Sequence, residues 1–444
     1  FAPARPDSHD WLIQLMEGVE DIPGAALSEG IDWNWETFPE YLDALERMPR
    51  VMDIATQVPH GSVRAYVMGE RGARNEDPTP EDLIEMAKIV QEGIEAGALG
   101  FTSSRTMLHR ALDGEPVPGT FAGADELIAM GRAVADAGGG VVEVASDIGL
   151  GGLEGNFGSD IDWMRALADD YGLTVTYALN QADQHPQQWR DLLELSSAPL
   201  EGQGKVIAQV AGRPAGLLFG LETSLPPFKM HPTYLDLAAS CTPSELVKEL
   251  SKEQIKQQIL GETTGYTGRF NHDVAHGFHK MYPLLENPDY EPKPQDSIAS
   301  RAEKEDRDPY EYAYEVLLTN NGKGLIFFPL ADFAEHTLDP TYERLNHHGA
   351  FWSLSDGGAH CRLICDASTS TFMLSHWTRD RTNGPKMKIE DAVKLMTHDT
   401  AEIYGLLGDR GTLEVGKRAD INVIDYDNLS ISPPEMAYDL PTGA

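Results

Sequence analysis

Apolar positions along this chain follow two spacings that take turns. Where every second residue is apolar, or four to six apolar residues run together, a strand is expected. Where they recur at i, i+3, i+4 and i+7, a helix is expected. The first spacing marks residues 61–70 (Val63, Ala65 and Val67 alternate), 99–102, 141–147, 174–179, 205–210, 325–330 and 351–355. The second marks 80–96, with Leu83, Met86, Ala87, Val90 and Ile94 on one face, and then 124–137, 160–171 and 189–195. It returns at 309–318, 341–346 and 389–404, and two or three short helices are expected within 7–58. Strand and helix in alternation predict parallel βα units, not all seven strands needing to share one sheet. Residues 212–305 break the rhythm, being rich in Pro, Gly, His and charge with a helical stretch near 244–260. So long an interruption is expected to be a loop insertion.

Composition narrows the function classes. With 444 residues and 41% hydrophobic content the chain can bury a large core. No apolar run approaches the roughly 20 residues of a membrane span. Acidic residues outnumber basic ones 71 to 35, a net charge of −36. Such a surface repels nucleic acid and anionic membranes, so neither is expected as a partner. Three cysteines (Cys241, Cys361 and Cys365) make no disulfide framework, which points to a reducing compartment and a cytoplasmic location. Cys361 and Cys365 lack the paired ligands of a structural zinc site and are expected to be small buried residues.

The chemistry concentrates in Phe351-Trp-Ser-Leu-Ser-Asp-Gly-Gly-Ala-His-Cys361. An apolar strand runs into Ser355 and Asp356 and then breaks at glycines, the way a β/α barrel delivers an acid to the face that carries its active site. Asp356 is suited to ligating a metal, to taking a proton from water, or to both. An Asp that merely caps a helix or fixes a turn is the competing reading. Arg105, following a strand end with His109 close behind, is suited to clamping a substrate carboxylate, against an ordinary ion pair with an acidic neighbour. His360 is suited to orienting substrate, supporting Asp356 or ligating metal, against a locally bonded loop histidine. Asp147 ends its own strand. Arg213 and His231 open the insertion, while His272, His276 and His279 are expected in a polar loop. His376, Trp377, Arg379 and Arg381 are expected to pack and carry surface charge. Residues 149–158 are glycine-rich but lack the Lys-Ser/Thr of a phosphate loop.

Ala98-Leu-Gly-Phe-Thr-Ser-Ser-Arg105, Ser355-Asp-Gly-Gly-Ala-His360 and a closing segment complete the picture. That segment has Thr400, Ala401, Tyr404 and Gly405 on a helix, then Gly411-Thr-Leu and Gly416-Lys-Arg-Ala-Asp-Ile-Asn-Val-Ile-Asp425. Together these resemble the amidohydrolase superfamily, in its N-acyl-D-amino-acid deacylase (D-aminoacylase-like) branch, over nearly the whole chain. The resemblance implies an α/β fold: a (β/α)8 TIM-type barrel over 1–410 with 212–305 as a lid, and part of an appended β-sandwich over 411–444. It implies hydrolysis of C–N amide bonds, in N-acyl-(D-)amino acids, by metal-activated water with Asp356 as base and ligand. The cofactor implied is a divalent metal, zinc first, and the partner a small-molecule amide. Cyclic amide opening or deamination, and a weak or inactive barrel serving as a subunit or binding protein, are the alternatives.

In that superfamily Phe1 would fall shortly after the second barrel strand, and Ala444 before the last sandwich strands. The family's His-x-His and its thiolate ligand would then lie upstream of Phe1, and no His-x-His occurs in these 444 residues. A second chain supplying the missing strands, or a homo-oligomer, is expected accordingly. Histidines expected at the ends of two later strands are replaced by Asn180, Gln181 and Gln209. Asn180 and Gln181, with Arg105, His109, Arg213 and His360, are the expected substrate contacts.

Overall fold

In the computed structural model, which describes residues 1–148, 157–262, 264, 269–353, 355, 357–364 and 366–443, nine strands form two sheets among the described residues. β1 (Val58–Pro59), β2 (Gly100–Arg105), β3 (Val141–Ser146), β4 (Thr174–Ala178) and β5 (Lys205–Val210) pair in sequence order, all parallel. A helix links each to the next: Pro80–Glu95, Ala124–Asp136, Phe157–Tyr171 and Gln188–Ser197. The second sheet, β6 (Gly216–Phe219), β7 (Tyr282–Leu284) and β8 (Leu325–Pro329), is antiparallel with β8 in the middle. The chain then returns to the first sheet as β9 (Ala350–Trp352), parallel to β5. β1 and β9 are therefore the sheet's edges, and a closed ring of eight would place further strands between them.

Register explains which face is greasy. Phe101, Val142, Val175 and Val206 lie abreast across four strands and are buried. They pack against Met86 and Val90, Met130 and Val134, Leu167, and Leu192 from the connecting helices. One residue along, Thr102, Glu143 and Thr176 lie abreast on the opposite face, as period-two alternation requires. The approach of β2 to β3 needs Gly100, where a Cβ would stand 1.8 Å from the Val141 carbonyl oxygen.

Several sequence expectations need correction. Residues 61–70 are not a strand: His60–Met68 is a helix, and the strand is the short β1 just before it. His60, Val63, Arg64 and Met68 are its buried face, an i, i+3, i+4 and i+8 set that coexists with the Val63/Ala65/Val67 alternation. The strand at 325–330 forms, but in the second sheet. An all-apolar run fits the middle of any sheet, so its pattern does not name its neighbours. The second core, from Leu217 to Phe328, is correspondingly larger than the 212–305 insertion expected. The helical stretch near 244–260 is two helices, Pro243–Leu250 and Glu253–Gly261. The expected sandwich strands are not formed among the described residues from 406 to 440, where Val415 and Val423 stand fully exposed. A strand gains nothing from its apolar face without partner strands to cover it. Among the described residues no helix is long and apolar enough to cross a membrane.

Helix His60–Met68 is anchored to the sheet by a buried polar cluster. Glu126 accepts from His60 Nε2 at 2.8 Å and from Arg64, and His60 Nδ1 lies 2.9 Å from the Ser103 hydroxyl. Burial alone would raise the Glu126 pKa, but its bonds to His60 and Arg64 hold the carboxyl below the usual range. Burial likewise lowers the His60 pKa and keeps the ring neutral, so Nε2 donates to Glu126 and Nδ1 accepts from Ser103. Removing the guanidinium should leave a buried carboxylate uncompensated. Arg64→Met is expected to cost about 3–5 kcal/mol in denaturant titrations; a loss below about 1 kcal/mol would mean that water reaches Glu126.

Candidate active site

Because the first sheet is parallel, the carboxyl ends of its strands open on one side, the side on which barrel enzymes build their sites. β2 ends in Ser104 and Arg105. The Ser104 hydroxyl and His109 Nδ1 are 2.8 Å apart. β3 leads into Asp147, which accepts from the Thr106 hydroxyl and from the Met107 amide at 2.7 Å. Burial pushes the Asp147 carboxyl above its usual range, with those two bonds opposing. His109 is lowered to about 4, first by burial and then by the charge of His360. His109 and His360, distant in sequence, thus lie within electrostatic reach of each other. His360 also lies 3.8 Å from Glu20, and it adopts the left-handed backbone (φ +51°) in the turn after β9.

The arginines are committed elsewhere. Arg105 donates to Asp160 at 3.0 Å and to the Ala122 carbonyl at 2.7 Å, so the ion-pair reading describes it better than a free carboxylate clamp. Arg213 donates to Asp366 at 2.6 Å and to the Ser368 hydroxyl at 3.0 Å, and its guanidinium lies 4.2 Å from the Tyr290 ring centre. It thereby fastens the end of β5 to the loop that follows β9. Asp356 and Cys365 lie outside the described residues, as do residues 149–156. Cys361 is half-exposed rather than buried, with Sγ 3.5 Å from the Gly358 carbonyl.

Asn180 and Gln181 sit at the end of β4, and both face Asp332. Asn180 Nδ2 donates to Asp332 Oδ2 at 2.8 Å, and the Gln181 amide to Oδ1 at 2.7 Å. Gln181 Nε2 donates to the Pro186 carbonyl at 3.0 Å. Arg344, fully buried, pairs with Asp332 at 2.7 Å. Gln209 donates through Nε2 to Glu143 at 2.9 Å and Thr176 at 3.0 Å, and Tyr404 donates to the other Glu143 oxygen at 3.1 Å. As substrate contacts, Asn180 and Gln181 are thus already engaged within the protein. Asp332 carries the same sequence signal as Asp356, a carboxylate just past an apolar strand, and is not among the residues expected above. Arg344 carries no such signal, since it sits in a short helix where a charged residue is ordinarily expected to face solvent.

His376 reaches Glu291 at 2.8 Å, Trp377 is fully buried, and Arg381 pairs with Glu291 and Asp339. Trp377 thus packs, whereas Arg381, expected to carry surface charge, is buried because two carboxylates compensate it. His231 Nδ1 donates to the Ile259 carbonyl, and Nε2 then accepts from the Tyr310 hydroxyl, inside the second core. Glu143 and Tyr404 instead line a cavity of about 600 Å³ with Thr102, Thr56 and Phe1, beside edge strand β1.

The amidohydrolase family model matches residues 3–272 and 320–443. This chain belongs to the amidohydrolase family. It is a hydrolase of C–N bonds, and its fold is that of the family's D-aminoacylase-like branch. An uncharacterised protein of Mycobacterium tuberculosis is 24% identical over 94% of this chain and 68% of its own length. Among solved structures, an N-acyl-D-glutamate deacylase from Bordetella bronchiseptica, complexed with zinc and a phosphonate mimic of the tetrahedral intermediate, superposes with a TM-score of 0.50. It is 18% identical, over 93% of this chain and 73% of that one. A D-aminoacylase with a binuclear metal centre gives 0.52 at 16% identity, over 95% and 74%.

For a metal, the donors at the ends of β4 and β5 do not fit. They are neutral amides, poor zinc ligands, with the Asn180 and Gln209 side-chain nitrogens turned to carboxylates and that of Gln181 to the Pro186 carbonyl. Among the described residues the one close group of three ligand types is His398, Asp399 and Glu402, on the closing helix, where Lys394 already pairs with Asp399 at 2.5 Å.

The depressed His109 pKa has a sign. The unfolded chain takes up that proton near pH 6.5 and the folded chain only near 4, so stability is lost as pH falls through this window. Between pH 7.5 and 4.5 the wild type is expected to lose about 1–2 kcal/mol more than His109→Gln in urea titrations. Equal losses would mean that the imidazole is solvated.

Proposed function

We propose that this amidohydrolase cleaves the amide of N-acyl amino acids, of D configuration, with Asp356 as its general base. The family match across both sides of the insertion is what carries the reading, together with the position of Asp356 shortly after β9 in sequence. The chemistry needs water delivered to the amide carbonyl, a carboxylate to take its proton, and return of that proton to the leaving nitrogen. Asp356 is assigned those transfers. His109 and His360, both half-buried and within electrostatic reach of each other, are assigned to orienting the substrate. The insertion between β5 and β9 is assigned as the lid that excludes water. The divalent ion implied by the resemblance, zinc first, would be held among these residues by Asp356.

A second reading, a barrel that binds rather than hydrolyses, draws support from Asn180, Gln181 and Gln209 being engaged inside the protein. The two separate in one assay. The purified chain is incubated with N-acetyl- and N-formyl-D- and L-amino acids and a hydantoin, and release of free amino acid is followed by chromatography. Hydrolysis of an N-acyl-D-amino acid is expected, and Asp356→Asn is expected to reduce kcat by roughly 10²–10⁴-fold at an unchanged melting temperature. Undiminished activity in that variant would remove Asp356 from the mechanism, and binding without turnover in the wild type would favour the second reading.

A further inference from the structure

The ends of β4 and β5 have an internal charge balance of their own. Asp332 is 1% exposed, and both its oxygens are occupied: Oδ1 accepts from the Gln181 amide and Arg344, each at 2.7 Å, and Oδ2 accepts from Asn180 at 2.8 Å. Arg344 cannot lose its proton, and the same nitrogen also donates to the Leu179 carbonyl at 2.6 Å. Nearby, Lys280 from the insertion holds both oxygens of Asp183 at 2.6 and 2.7 Å. Each carboxylate here thus has its own cation. A divalent ion added beside Asp332 and Asp183 would face two fixed positive charges, Arg344 and Lys280, each already holding its negative partner, in a region of low dielectric where such repulsion is strong. The imidazole at hand, His336, has its Nδ1 2.8 Å from the Tyr282 hydroxyl. On the β5 side, Gln209 presents its amide nitrogen, not its oxygen, to Glu143 and Thr176.

We infer that the ends of β4 and β5 bind no metal ion, and that the Asp332–Arg344 pair, locked to Asn180 and Gln181, does by permanent ion pairing the cross-linking that a bound cation would do. It joins the end of β4, the end of β8 and helix Asp339–Leu345. The inference concerns these residues alone and stands whether or not the chain hydrolyses N-acyl amino acids.

Metal content tests it. The full chain is stripped with a chelator, dialysed separately against Zn²⁺ and Co²⁺, and measured by elemental analysis and by the visible Co²⁺ spectrum. Asn180→Ala, Gln209→Ala and Asp356→Asn are treated in parallel. Asn180→Ala and Gln209→Ala are expected to match the wild type in stoichiometry and spectrum, including a wild-type value of zero. A metal held by Asp356 would instead disappear only in Asp356→Asn, which keeps this result distinct from the catalytic reading. Asp332→Asn is expected to lower the melting temperature by roughly 5–10 °C, equally with and without Zn²⁺. The inference is overturned if Asn180→Ala or Gln209→Ala loses an equivalent of metal. It is also overturned if Zn²⁺ raises the wild-type melting temperature but not that of Asn180→Ala. Should Asp332→Asn not fold, the half-buried Asn180→Ala decides the matter by itself.

Discussion

Parallel pairing is the constraint from which the rest of this structure follows. A parallel strand cannot be joined to its neighbour by a tight turn, so each must be carried back by a helix before the next begins. The helices cover one face of the sheet, which explains the buried row of Phe101, Val142, Val175 and Val206. The same constraint sends the carboxyl ends of all six strands to one side. Residues from Ser104 to His360 therefore meet there although hundreds of positions separate them in the chain.

Much of the charge on that side is paired inside the protein. Arg105 with Asp160, Arg213 with Asp366, Arg344 with Asp332 and Lys280 with Asp183 each tie a strand end to a helix or loop. Buried ions of this kind hold geometry because separating either partner leaves an unpaired charge in low dielectric. His109 and Asp147 differ: hydrogen bonds, not counter-charges, hold them, and burial disfavours their charged forms. Groups so perturbed are where proton chemistry and recognition concentrate.

The two sheets divide the work. The parallel sheet presents the strand ends, and the antiparallel sheet with its own aromatic core, Phe219 on Phe328 at 5.5 Å, forms a semi-independent body over them. Lys280 and Asp332 come from that body, and so does the Tyr290 ring that stacks on Arg213. The insertion thus contributes side chains to the side on which the strand ends open.

Local pattern determined most of the elements: β3, β4, β5 and the helices between them were legible because one face of each is buried, and burial writes its period into the residues. Family membership was legible too, in Ser355–His360 and the segment after Thr400, because those turns need particular glycines and small residues in order. Which sheet the apolar run Leu325–Pro329 joins was not legible, since either sheet's interior would take it. Nor was the engagement of Arg105, Asn180 and Gln181, because an ion pair is specified by where two charges meet in space. Asn180 and Asp332 are 152 positions apart, and only the folding of one sheet over the other brings the amide to the acid.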